Sequence, residues 1–341
     1  MNFSRYLLRR LGYSLFVLVG LSIVVFVIAR LVPGDPARAA LGPRATQEAV
    51  DALRARLHLD KPIYIQYAYW LKSVLQGDFG ESLFTRRPVV EDVKEFLPAT
   101  LELALFAGFL MTLFGLFLGV MSARYANTWV DNVIRVLSYL GIATPAFVVA
   151  IVLLLVFGMY YEIFPTIGRL TPGMASPPRI TGLLTIDSLL SGNLATFWDA
   201  LKHLILPGIS LSLGGLFQEA RITRSSMLEN AKKDYVGAAR AYGIPERVVF
   251  AKYLFKPSVI PTVSILGLDF ASLIGNAFLV ELLFNWPGIS RYGINVMLRK
   301  DVEAIVAVVM ILGIVFTVVN IAVDLLVAYL DPRIRLVAKE E

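Results

Sequence analysis

The sequence predicts an all-α polytopic membrane protein with six transmembrane helices, and three observations carry that expectation. Several apolar runs reach the ~20 residues needed to cross a bilayer. Hydrophobic residues make up 57% of the 341 positions. Only 17% are charged, against roughly 25% in a soluble chain, and the mean hydropathy is +0.69. The net charge of +6 does not point to nucleic acid, because Lys and Arg are spread over many loops without an aromatic-interleaved basic face. Basic loops of a membrane protein report its topology. Cysteine is absent, which removes disulfides, thiol chemistry and thiolate metal sites.

Arg5, Arg9 and Arg10 precede the apolar run Leu11–Val32. A secretory signal would share that pattern, and Ala37-Arg38-Ala39 imitates its cleavage site. Signal cores, however, are roughly 7–15 residues long. Residues 1–36 therefore read as an N-terminal tail and an uncleaved first span, ended by Pro33-Gly34-Asp35-Pro36, which cannot continue a helix. Residues 37–98 are polar. Val50, Leu53 and Leu57 recur at helical spacing, as do Ile63, Tyr67, Trp70, Leu71 and Val74. These predict two short amphipathic helices packed as a small cap.

Further spans are expected at about 99–124, 133–161, 203–227, 258–284 and 305–330. The stretch 162–202, rich in Pro, Gly, Ser and Thr, reads as an external loop. The excess of Lys and Arg falls at the N-terminus, near Arg124 to Arg135, around 234–257 and in the tail 331–341. Short loops with that bias face the cytoplasm. Both termini and the 234–257 loop are thus expected there, with the 37–98 cap outside.

No enzyme constellation stands out. The two histidines, His58 and His203, form no helical metal pair, and no catalytic or metal residue is assigned. An intramembrane serine protease using His203 would need a hydrogen-bonded geometry that nothing in the sequence marks. Nucleotide hydrolysis is excluded more firmly. A P-loop needs Gly followed by Lys, and no Lys in the chain follows a Gly. If ATP powers this protein, another polypeptide binds it.

Asp234–Pro257 reads as two short helices meeting at a hinge. Gly243 suits a left-handed helix end and Pro245 the first turn of the next helix. The small residues Gly237, Ala238, Ala239 and Ala241 would let another protein approach the backbone, with the lone Arg240 as an anchor. Two readings stand: a docking element for a soluble partner, or a plain connection between spans.

In the fifth span Ser258, Thr262, Asp269, Ser272 and Asn276 share one helical face with Ile265. An ionisable residue inside a span faces a bundle interior or a wet cavity. The stripe therefore either lines a solute pathway or packs on a neighbouring helix. For Thr317, Asn320 and Asp324 in the sixth span, packing is the expectation. Gln218 and Glu219 line a gate or sit at the interface, and Trp286 is expected as an interfacial anchor.

Several strings together resemble one family. They are Pro33-Gly34-Asp35-Pro36, LHLDKPIYIQYAYWL (57–71), GDFGESL (77–83), LPATLELAL (97–105), HLILP (203–207), RITRSSMLENAKKDYVGAARAYG (221–243), ELLFNWPGISR (281–291) and DPRIR (331–335). Their order resembles the permease subunits of binding-protein-dependent ABC importers, in the dipeptide/oligopeptide/nickel branch of DppB/OppB type. The resemblance implies a type I permease fold with an extracytoplasmic helical insertion after the first span.

It also implies that the 234–257 loop carries the EAA motif and forms coupling helices seated on an ATPase. Asp234, Gly237, Ala238, Ala239, Arg240, Ala241, Gly243, Pro245 and Glu246 would form that contact, with Gly237 standing where the family's motif has its acidic residue. Thr262, Asp269, Ser272 and Asn276 would line the translocation pathway.

The partners implied are a second, homologous permease of DppC/OppC type, two ATPase subunits that bind ATP and Mg, an extracytoplasmic solute-binding protein and the lipid bilayer. This chain itself would hold no cofactor and catalyse nothing. Short peptides are the expected cargo. Oligosaccharides or nickel on the same architecture remain open, and so does a stand-alone secondary transporter.

Overall fold

The structure is a computed structural model and describes residues 3–31, 36–42, 44–56 and 58–330. Pro33-Gly34-Asp35, Leu57 and the tail with its DPRIR string lie outside the described residues. Within them the chain is helical: α1 (Phe3–Leu31), α2 (Pro36–Leu41), α3 (Gln47–Arg56), α4 (Ile63–Leu75), α5 (Val89–Arg124), α6 (Trp129–Ala143) and α7 (Ala146–Leu153, continued as a π-helix to Tyr160) come first. Then follow α8 (Leu184–Leu190), α9 (Leu194–Asn230), α10 (Asp234–Ala241), α11 (Glu246–Val248, with a π-helical run Val249–Phe255), α12 (Lys256–Leu283), α13 (Ile289–Leu298) and α14 (Val302–Leu330).

Among the described residues, five helices are long and apolar enough to cross a membrane: Leu8–Ile28, Val89–Arg124, Leu194–Asn230, Glu246–Leu283 and Val302–Leu326. The third expected span, 133–161, is not one straight helix. α6 and the α7 run meet at 106°, because Thr144 is extended (φ −89°, ψ 120°) in front of Pro145. A residue before proline is pushed out of the helical region by the proline ring. Helices also start earlier than hydropathy suggested: α5 begins ten residues ahead of the apolar run with Pro98 inside it, and α9 begins at Leu194. The expected external loop 162–202 accordingly contains α8 and the first turns of α9.

The chain divides into two compact units. The larger is built on Pro98–Arg291 and takes in the chain from Val318. Its core joins Leu103, Met111, Leu204, Phe217, Leu273 and Trp286. Close approach is permitted by missing side chains: a Cβ on Gly141 would stand 2.1 Å from the Phe217 ring. The connection before α9 is ordered by two carboxylates. Glu102 accepts from Arg169 and from Thr185. Asp187 accepts from the Ile180, Thr181 and Gly182 amides and the Thr181 hydroxyl at 2.7–3.2 Å. Burial alone would raise the Asp187 pKa, but those donors outweigh it and hold it below the ordinary value. The loop's anchoring is therefore complete at neutral pH and weakens only as pH falls through the acidic range.

The smaller unit comprises Leu8–Leu97 and Tyr292–Thr317. Its core is Val25, Val306 and Met310 with Trp70 and Phe79 packed against them. The amphipathic α4 lies on α1, where Tyr67 and Ser22 share a 2.8 Å hydroxyl contact and the Phe26, Tyr67 and Trp70 rings cluster. The turn after α4 is tied by Ser82 donating to Asp301 at 2.7 Å, and by Asp92 accepting from Thr85, Tyr292 and Arg87. Burial raises the Tyr292 pKa, so this phenol stays a donor.

One buried ion pair stands out in the larger unit. Asp131, fully buried in the first turn of α6, accepts two bonds from the Arg224 guanidinium of α9 (2.7 and 2.6 Å), one from Ser122 (2.6 Å) and one from the Asn127 amide. Removing one partner strands the other charge. Asp131→Ala is expected to cost on the order of 3 kcal/mol in thermal unfolding of the detergent-solubilised chain. The double variant Asp131→Leu/Arg224→Met should cost clearly less than Asp131→Ala alone.

Candidate functional site

Two features answer to the residues singled out by sequence, and both lie in the larger unit. The first is the hairpin between α9 and α12. α10 closes with a Schellman arrangement: Gly243 has φ +72°, its amide donates to Arg240 O, and the Ile244 amide donates to Ala239 O at 3.1 Å. Gly takes that left-handed position without the Cβ clash other residues meet. Pro245 sits one place earlier than expected, as the N-cap of α11 rather than in its first turn. Its carbonyl accepts from the Val248 and Val249 amides.

Val236, Ala239 and Val249 are buried in a small core with Ile244 and Tyr253 packed on it. Ala239 thus holds the hairpin shut, and its side chain is not on the exposed face. Arg240 is not a lone cation either. Its Nε and Nη2 donate to both oxygens of Glu246 at 3.1 and 2.8 Å, which raises its pKa. Asp234, Gly237, Ala238, Ala241, Gly243, Pro245 and Glu246 are exposed. Around Gly237 nothing lies within 4 Å of where a Cβ would stand. Tyr242, 86% exposed, adds an aromatic to this face that sequence reasoning passed over. Its position just before a glycine stop was the available signal.

The second feature is a cleft of about 440 Å³ lined by residues of α5, α6, α7, α9 and α12 and by the Thr144–Pro145 break. The polar stripe of α12 divides in two. Asp269, Ser272 and Asn276 line the cleft. Ser258 and Thr262 are fully buried against α9 instead: Thr262 and Thr223 share a 2.8 Å hydroxyl contact, and Asn230 donates to Ser258 at 3.1 Å. Thr262 is therefore a packing residue in this structure and does not line the cleft. Gln218 of α9 lines it and donates to Asp269 Oδ1 at 3.2 Å. Three contacts, 218–269, 223–262 and 230–258, run antiparallel along the α9–α12 seam.

Glu219 neither lines the cleft nor sits at an interface. It is completely buried, and neither carboxylate oxygen has a hydrogen-bond partner. Trp286 is no interfacial anchor. It is 1% exposed and its Nε1 donates to Ala99 O at 2.9 Å. Beside it the buried Glu281 accepts from Thr100 and from the Arg291 amide, while the Ile289 amide donates to Thr100 Oγ1. Nothing in the 281–291 string alone announces that network, because Thr100 lies 181 residues from Glu281 in sequence. His203 is buried with its Nδ1 against the Asp199 carbonyl. Thr317 donates to Gly313 O, and Asn320 and Asp324 are half-buried.

The arrangement defines a polytopic helical membrane protein in which one exposed hairpin joins two of the helices that line a polar cleft. The chain belongs to the binding-protein-dependent transport system inner membrane components: that family's pattern matches residues 115–336, and its N-terminal companion matches residues 3–104. It is a permease of DppB/OppB type with the type I fold.

Named relatives align nearly end to end. A probable D,D-dipeptide transport system permease protein, DdpB of Escherichia coli (strain K12), is 37% identical over 334 residues, covering 98% of both chains. The di/tripeptide permease DppB of Pseudomonas aeruginosa (strain UCBPP-PA14) is 38% identical, covering 97% of this chain and 98% of its own. The glutathione permease GsiC of Salmonella typhi is 34% identical, over the same shares.

The hairpin geometry makes one residue decisive. A β-branched side chain at φ +72° is strained by about 1–3 kcal/mol. Gly243→Val is expected to lower amide-exchange protection across 234–249 by roughly tenfold or more, and Gly243→Asn by less. Hydrogen exchange with mass spectrometry on the purified chain reads both.

Proposed function

We propose that this chain is one of two similar permeases in an ATP-driven importer of di- and oligopeptides. In that assembly two separate ATPase subunits bind ATP and Mg, and an extracytoplasmic solute-binding protein delivers the cargo. The peptide cargo is supported by relatives named for dipeptide, di/tripeptide and glutathione transport along nearly the whole chain. The Lys/Arg bias supports cytoplasmic termini and a cytoplasmic hairpin.

One observation carries the mechanism: α9 and α12, joined by the hairpin, are also helices that line the cleft. An ATPase seated on α10 would push on both at once. The polar seam between them would pass the displacement on as a movement of one body, opening the cleft to one side of the membrane and then the other. Asp234, Gly237, Ala238, Ala241, Gly243, Pro245 and Glu246 offer the seat. Ala239 and the Arg240–Glu246 pair keep it in shape. Asp269, Ser272 and Asn276 face the moving solute, and selectivity rests largely with the binding protein.

The seat is tested sterically. Because Gly237 faces open space, Gly237→Trp should leave the melting temperature within about 2 °C of wild type while abolishing co-purification of the ATPase subunits. Full retention of those subunits would contradict the seat. Transport is tested in proteoliposomes. The complete assembly with ATP and binding protein should accumulate tripeptide and neither disaccharide nor nickel ion, whereas gradient-driven uptake by this chain alone would make it a secondary transporter.

A further inference from the structure

Asp269 is the sole ionisable side chain among the described residues that line the cleft. It is 9% exposed; Oδ1 receives a single 3.2 Å bond from Gln218, and Oδ2 is shielded from solvent with no donor. A shielded carboxylate with an unpartnered oxygen at membrane depth needs a proton or a cation to balance it. Among the described residues, no Lys or Arg lines the cleft to supply one.

We infer that Asp269 is the anchor for a primary ammonium group, the free α-amine of a peptide passing through the cleft. This rests on the peptide-importer reading above and names what the cleft recognises. An ammonium presents three donors and needs acceptors around it. Asp269 Oδ2 is one. Ser272 Oγ, one turn along α12, is a second: its proton goes to the Asp269 carbonyl at 2.7 Å, which leaves its lone pairs free to accept. Gln218, which donates to Asp269 through Nε2 and lines the same cleft, carries an amide oxygen that can serve as a third.

A divalent metal ion fits less well. It would ask for several charged or carbonyl ligands in one shell, and among the described residues no three His, Cys, Asp or Glu side chains gather. Asn276 extends the argument. It stands seven residues beyond Asp269, about 10 Å at 1.5 Å per residue, roughly the length of three extended residues. With the amine at Asp269, the Asn276 amide faces the far end of a tripeptide. The cleft volume of about 440 Å³ lies within the range of small-ligand sites.

The test uses the complete transport complex in nanodiscs without binding protein, so that only the permease pair discriminates. Equilibrium binding of radiolabelled trialanine is compared with that of N-acetyl-trialanine. Trialanine should bind at least tenfold tighter. Asp269→Asn should bring the ratio to within twofold of unity, Asp269→Glu should keep most of it, and Ser272→Ala should reduce it three- to tenfold. If the carboxyl merely carries a proton, Asp269→Asn will bind both peptides as wild type does, and the inference falls. It falls equally if wild type does not distinguish the peptides or binds neither. Should Asp269→Asn fail to assemble, an unchanged ratio in Ser272→Ala overturns the inference by itself. The parent reading is separated by uptake: ATP- and binding-protein-dependent accumulation of trialanine without amine preference in the nanodisc assay defeats the anchor alone, and no accumulation defeats the peptide reading.

Discussion

The seam between α9 and α12 is the contact on which the rest depends. Inside a bilayer, apolar side chains gain little by leaving lipid for one another, so helix pairs are held by close packing and by hydrogen bonds. Here three side-chain pairs cross the same seam in antiparallel register, from Gln218–Asp269 through Thr223–Thr262 to Asn230–Ser258. The first pair borders the cleft and the last borders the hairpin. A single interface thus joins the cleft, where solute would pass in the proposed mechanism, to the hairpin, where force would arrive. Tyr235 continues the chain of contacts outward, its hydroxyl donating to Asn230 Oδ1 at 2.8 Å.

Two further ties steady this pair. Arg224, one residue past Thr223, anchors α9 to the first turn of α6 through Asp131. At the other end of α12, Glu281 gathers Thr100 and the backbone that follows Trp286. Both carboxylates are fully buried and well supplied with donors. Glu219 and the Oδ2 atom of Asp269 are the exceptions, buried without hydrogen-bond partners. Natural sequences break local rules mainly where function requires it. The contrast between satisfied and unsatisfied carboxylates within one unit is what directs attention to the cleft.

How much of this the sequence disclosed follows from the reach of each signal. Apolar length locates the spans because a bilayer imposes it locally. Gly243 followed two places on by Pro245 locates the hairpin turn because both act through their own φ. The bend at Thr144–Pro145 escaped, since hydropathy continues across it while the helix does not. The stripe on α12 was legible as a stripe, yet only contact with α9 separates Thr262, which packs, from Asp269, which faces the cleft. Trp286 was misread because an aromatic near a span end fits an interfacial anchor as well as a core. Asp131 and Arg224 lie 93 residues apart, and no local pattern joins them. Arg240 and Glu246 are only six apart, but they meet only because the turn at Gly243 folds back.

The central claim is that α9 and α12 move as one body when the hairpin is pushed. The chain has no cysteine of its own, and the Thr223 and Thr262 hydroxyl oxygens stand 2.8 Å apart. A disulfide between Thr223→Cys and Thr262→Cys in the assembled transporter therefore tests the claim directly. If the seam is rigid, ATP-driven peptide uptake by the oxidised protein stays within about twofold of the reduced protein. Loss of uptake on oxidation, restored by a thiol reductant, would show that the two helices must slide past each other and would contradict the account.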